Sequence, residues 1–192
     1  MPQAPQTQDL QNRLEFLGQA ERLKDTIRSA HSTHGRVESV AEHTWRLTLT
    51  ILTFADLFPH LDLLKLLKIC IIHDIGEGIH GDIPAPEQDG TAPKSDQERD
   101  DFIKITSSLP EPLKSEFLDL WDDYEYVQSE EAKVAKAFDK LETLLQHTQG
   151  KNPENFDYVF NLGYGRKYTD ATELTKALRE MIDAETERRL KR

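Results

Sequence analysis

The chain has 192 residues, 37% hydrophobic and 31% charged, which suits one domain with a buried core. Asp and Glu outnumber Lys and Arg by 35 to 24, and the formal net charge of −11 sets the surface against DNA or long RNA as a partner. A small anionic ligand stays open, because a local group of cations or one bound metal ion overrides the global sign.

Residues 1–9, with Pro, Gln and Thr, read as a disordered lead-in, and residues 10–192 as a single domain. From Leu10 the spacing of Leu14, Phe16, Leu17, Ala20 and Leu23 is helical. A polar stretch follows over Asp25–Arg36, carrying Arg28, His31, His34 and Arg36. The planar arginine fork suits phosphate, yet an arginine in such a stretch is also commonly just solvated.

Ser39-Val40-Ala41-Glu42 fits a capping box, with Ser39 as N-cap and Glu42 reaching back. Behind it Val40, Leu47, Ile51, Phe54 and Phe58 form one stripe of helical period, closed by Pro59. His43 lies about 60° from the centre of that stripe, so it borders the core as a packed residue or as a ligand facing a cleft. Leu61–Ile72 is apolar nearly all round, broken by Asp62, Lys65 and Lys68, and is read as a central helix packed on several sides. The single Cys70 sits inside it as a small hydrophobe. With no signal-peptide pattern, and no run near the roughly 20 apolar residues of a membrane span, the expected setting is the cytoplasm without a membrane contact.

That helix ends in His73–Asp74. The pair offers a borderline nitrogen and a hard oxygen at one point, which suits a divalent first-row ion. The competing reading is a helix end whose Asp bonds nearby backbone. The apolar run before the pair, with Gly76, Glu77, Gly78, Gly81 and Asp82 after it, favours a site. Pro84 and Pro86 then mark a loop, with Gly90–Ser95 expected to be mobile.

Three helices are expected next, over Gln97–Ser108, Pro112–Asp122 and Glu130–Gln149. On the third, Asp139 lies about 140° from the apolar stripe, and periodicity alone makes it solvated. Gly150–Thr169 reads as loop-rich, its aromatic residues serving packing, and a charged helix runs from about Asp170. The fold class is all-α, a single helical bundle.

The order His43, His73–Asp74, Asp139 resembles the H…HD…D signature of the HD-domain metal-dependent phosphohydrolases, and within them the 5′-deoxynucleotidase group. Matching strings are Glu38–His43, His73–Glu77, Gly81–Pro84, Ala92–Lys94, Leu120–Glu125 and Glu131–Lys133 leading into Phe138-Asp139-Lys140. The resemblance implies one divalent metal ion (Co, Mn, Fe, Ni, Zn, Cu or Mg) on His43, His73, Asp74 and Asp139. It also implies a homodimer that hydrolyses deoxyribonucleoside 5′-monophosphates. Asp139 enters by this route only. The segment Lys24–Arg28 lacks the Arg-Trp pair of the bacterial nucleotidase; Arg28 matches an Arg of the eukaryotic-type relatives, and His31 stands where those have Trp.

On that reading Glu77, three residues past Asp74, transfers the proton, and Asp82 meets the sugar or orients the attacking water. Arg28, Arg36 and Lys94 are the candidate counter-charges for phosphate. Two alternatives are hydrolysis of another nucleotide phosphoester and a non-catalytic nucleotide- or metal-binding module.

Overall fold

The computed structural model describes residues 6–82 and 94–191, without the Lys94 side chain. The first helix, α1 (Thr7–Ala20), starts earlier than expected, and residues 7–9 of the expected lead-in belong to it. A 3-10 turn over Glu21–Lys24 follows. Next comes the one departure from an all-α chain among the described residues, an antiparallel pair of β1 (Ile27–His31) and β2 (Val37–Ser39). The polar reading of Asp25–Arg36 is corrected here. The hairpin has few apolar residues, since besides Ala30 it buries the polar Glu38 and Ser39, and its turn closes by Ser32 N–H donating to the Arg36 carbonyl at 2.7 Å.

Ser39 ends β2 and caps α2 (Val40–Phe54): its Oγ accepts from Glu42 N–H at 3.3 Å, and Glu42 accepts from Ser39 N–H at 2.9 Å. Asp62 caps α3 (Leu63–Ile72) by accepting from Lys65 N–H at 3.1 Å. After a tight turn come α4 (Glu77–His80), α5 (Lys94–Ile105) and α6 (Glu111–Tyr126). Ser129 caps α7 (Glu130–Gln149), which matches its expected bounds. The stretch read as loop-rich contains two short helices, α8 (Tyr158–Gly163) and α9 (Arg166–Thr169), before α10 (Glu173–Leu190). The expectations for Pro84, Pro86 and residues 90–93 lie outside the described residues.

The central helix is α7, packed by α2, α3, α6 and α10. It buries Phe138 and Leu144 and, on its other sides, Asp139, Glu142, Thr143 and His147. As expected, α3 is packed on several sides, by α2, α6 and α7; it turns Leu66, Ile69, Cys70 and Ile72 inward and leaves Leu64 and Ile71 exposed. Likewise α2 buries Val40, His43, Leu47 and Ile51 while exposing Trp45, Leu49 and Leu52. Burial pushes the Cys70 thiol up, which keeps it a packing group. No described helix is long and apolar enough to cross a membrane.

Candidate active site

Three helices deliver the ligand candidates to one point. His43 comes from the first turn of α2, His73 and Asp74 from the end of α3, and Asp139 from the middle of α7. Donor atoms of His43, His73 and Asp139 all lie within 4.8 Å of one another, and all three residues are buried. His43 Nε2 is 3.1 Å from Asp139 Oδ1, and His73 Nε2 is 3.0 Å from Asp74 Oδ2. Asp74 Oδ2 is also 3.9 Å from His43 Nε2, which joins the fourth residue to the set.

The two Nε2 atoms are sealed from solvent yet make no well-aligned hydrogen bond. Such orphans are rare in a protein interior and call for an explanation. Here the other ring nitrogens supply it. His73 Nδ1 faces the Cys70 carbonyl at 2.9 Å, and His43 Nδ1 faces a Glu142 carboxylate oxygen. Carbonyl and carboxylate oxygens only accept, so each Nδ1 carries a hydrogen, and in the neutral ring each Nε2 presents a lone pair. Two imidazole lone pairs and two carboxylates suit a divalent transition ion, and the orienting acceptors are what metal-binding histidines need.

Electrostatics agrees. Burial pushes the Asp74 carboxyl up, but attraction by His73, His43 and Arg28 wins and holds it well below the usual range. For Asp139, burial is likewise outweighed by Lys140 and the two imidazoles. Burial and Arg28 push His43 down, whereas Glu142 and Asp139 raise it to about 10. A proton on His43 and a divalent cation are thus alternative ways of satisfying the same carboxylates, and an ion bound there would displace the proton.

Around this cluster, Arg28 of β1 lies 3.5 Å from Asp74 Oδ2 and donates to Thr143 Oγ1 at 3.1 Å. Burial opposes its charge, but Asp74, Asp82, Asp139 and Glu77 together raise its pKa. Glu77 opens α4 and is buried; Asp82 is half-buried just past that helix. Gly76 makes this turn possible: a Cβ there would lie 2.5 Å from the Glu98 carbonyl oxygen of α5. Arg36 is not brought to the cluster. It is exposed and pairs with Glu42 and the Val37 carbonyl, bracing the start of α2, because the hairpin turn carries it outward. The Lys94 side chain lies outside the described residues.

The HD-domain family model matches residues 20–179. This chain belongs to the HD-domain family. Among curated relatives, the 5′-deoxynucleotidase HDDC2 of Dictyostelium discoideum is 32% identical over 162 residues, 80% of this chain and 85% of that protein. HDDC2 of Danio rerio is 32% identical over 139 residues, 71% of this chain and 68% of that protein. In fold, the chain resembles a predicted metal-dependent phosphohydrolase from Magnetospirillum magnetotacticum, with a TM-score of 0.80 at 24% identity over 95% of this chain and 94% of that one.

In this HD domain, sequence reasoning missed a layer of residues behind the ligands. Glu142 orients His43, Tyr124 and Lys140 hold Asp139, and Trp121 Nε1–H donates to the His73 carbonyl at 3.0 Å. Glu38 is a further buried acid near His43 and Glu142; burial first, then Glu142, pushes it up to about 7. One signal was available: Glu142 and Thr143 stand three and four residues after Asp139, the spacing that puts residues on one helix face.

Proposed function

We propose that this HD domain is a divalent-metal-dependent phosphomonoesterase that converts deoxyribonucleoside 5′-monophosphates to deoxyribonucleosides and phosphate. The observation that carries the reading is the convergence of two buried imidazole nitrogens that lack a well-aligned hydrogen bond and two ionised carboxylates beside a buried arginine. The names of the curated relatives support the substrate class. One ion held by His43, His73, Asp74 and Asp139 would supply Lewis acidity and a water acidic enough to ionise near neutral pH.

The chain's own groups do the rest. Arg28, its guanidinium aimed by Asp74 and Thr143, binds the phosphate and offsets its charge. Glu77 transfers the proton, a role typically worth ~10²–10⁴ in rate. Asp82 meets the sugar or orients the attacking water. Metal-supplemented protein is assayed for phosphate release from deoxyribonucleoside mono-, di- and triphosphates and their ribose counterparts. Release from the deoxy monophosphates above all others supports the reading; preference for a triphosphate, or no release, rejects it.

The proposal extends to a homodimer in the cytoplasm, a setting that fits the free, buried Cys70. Support for the dimer comes from the exposed face made by Trp45, Leu49 and Leu52 of α2 with Leu64 and Ile71 of α3. A groove of about 360 Å³ runs along it, lined by Trp45, Leu49 and Ile71 among others and by no carboxylate. In so acidic a chain, a groove lined by no carboxylate is a place where two copies meet with little repulsion. Roughly half or more of each of these large side chains is exposed. Trp45→Glu is expected to halve the mass seen by light scattering. A parent chain that is already monomeric rejects this part.

A further inference from the structure

Asp139 is the ligand candidate whose two carboxylate oxygens do different work. Oδ1 lies 3.1 Å from His43 Nε2 inside the cluster. Oδ2 accepts from the Tyr124 hydroxyl at 2.6 Å and pairs with Lys140 Nζ at 2.9 Å. A carboxylate oxygen has about two acceptor positions, so these two donors engage all that Oδ2 offers.

Both donors are held from outside. Lys140 follows Asp139 directly, and successive helical residues point about 100° apart, so its ammonium has to fold back to reach the carboxylate. The turn before α9 stands against its stem: a Cβ on Gly165, whose φ is +71°, would lie 2.9 Å from Lys140 Cβ and Cγ. The neighbouring Tyr164 ring is centred 5.5 Å from Lys140 Nζ. On the other side, Lys136 Nζ sits 4.0 Å from the centre of the Tyr124 ring and is anchored by Glu125 at 3.0 Å.

We infer that Lys140 and Tyr124 are positioning residues that restrict Asp139 to one-oxygen ligation of the metal, with the Tyr164–Gly165 turn keeping Lys140 in place. The inference rests on the metal-centre reading above. Carboxylates bind divalent ions through one oxygen or two. An Asp139 that used both would take up a coordination position that water or the substrate phosphate needs. The C-terminal helices thereby act on the metal site without any residue of theirs entering it.

The test uses Co²⁺ as the probe, because its visible absorption weakens as ligands are added. Full-length protein is stripped of metal, reloaded with Co²⁺ and compared with Lys140→Met, Lys140→Arg and Tyr124→Phe. Folding of each variant is checked by circular dichroism. Lys140→Met is expected to lose absorption per bound ion, and Lys140→Arg, which keeps the cation, to retain it. Tyr124→Phe removes the other Oδ2 donor, is expected to move in the same direction, and decides the question if Lys140→Met does not fold. A parent-like spectrum in a folded Lys140→Met or Tyr124→Phe, or loss of Co²⁺ binding by either, overturns the inference. A parent chain that takes up no Co²⁺ overturns the metal-centre reading instead.

Discussion

Two polar clusters in this molecule are equally buried and differ in how their atoms are satisfied. One is centred on Arg179 of α10, whose guanidinium is fully enclosed. Its Nε donates to Asp183 at 2.7 Å, Nη1 to the Tyr164 carbonyl and Thr169, and Nη2 to the Asn161 and Leu162 carbonyls. Arg166 takes the other Asp183 oxygen at 2.6 Å. The second cluster is His43, His73, Asp74 and Asp139, where both Nε2 atoms lack a hydrogen bond. A buried polar group without a partner costs about 1–3 kcal/mol. The Arg179 cluster closes on itself and ties α8 and α9 to α10. The histidine cluster leaves its donor atoms facing one another, which is the arrangement of a site that takes a guest. Burial alone does not separate structural from functional polarity; the direction of the spare atoms does.

The contrast breaks most visibly in turnover. His73→Gln removes a proposed ligand whose Nε2 makes no well-aligned hydrogen bond and faces Asp74 at 3.0 Å, so phosphate release is expected to fall by at least ~10²–10³-fold. The metal-free protein should lose about 1–3 kcal/mol, since the Cys70 bond, the contact with Asp74 and some packing go. Arg179→Met reverses the pattern. It takes the donor from one Asp183 oxygen and from the Tyr164 and Asn161 carbonyls, and urea unfolding should show a loss of about 3–5 kcal/mol with metal stoichiometry unchanged in the folded fraction.

His147, on α7 between the two regions, gives a smaller and pH-dependent effect. Burial, helped by Arg28 and His31, holds its pKa down to about 4 against a hydrogen bond with Asn161. The unfolded chain takes up a proton near pH 6.5 that the folded chain resists until about pH 4. The associated stability is therefore complete above pH 6.5 and is lost as pH falls towards 4, by about 3 kcal/mol in all. Chemical denaturation across that window checks the slope, which His147→Gln should flatten. Smallest is Ser39→Ala, expected to cost about 1 kcal/mol by thermal melting through loss of the cap on α2.

Much of this was legible in the residues. The capping box at Ser39 and the bounds of α7 follow from local chemistry and period. His73–Asp74 stands out because an apolar helix runs directly into it. Asp139 did not stand out, because periodicity treats a polar residue off the apolar stripe as solvent-facing. That rule fails on α7, which has neighbours on every side. On α3, packed by three helices as its apolar run suggests, the pattern does not tell outward-facing Leu64 and Ile71 from the core. The hairpin was hidden by its polar residues, and its purpose, carrying Arg28 to Asp74, is a long-range contact that no local pattern encodes. Glu142, Tyr124 and Lys140 were missed for the same reason.

The central claim is one divalent ion at the meeting point of α2, α3 and α7, and calorimetric titration of chelator-treated protein with Mn²⁺ tests it most directly. The account predicts saturation at about one ion per chain with release of a proton, and loss of that binding in His73→Gln. Binding of the same strength and stoichiometry in His73→Gln, or none in the parent chain, would contradict it.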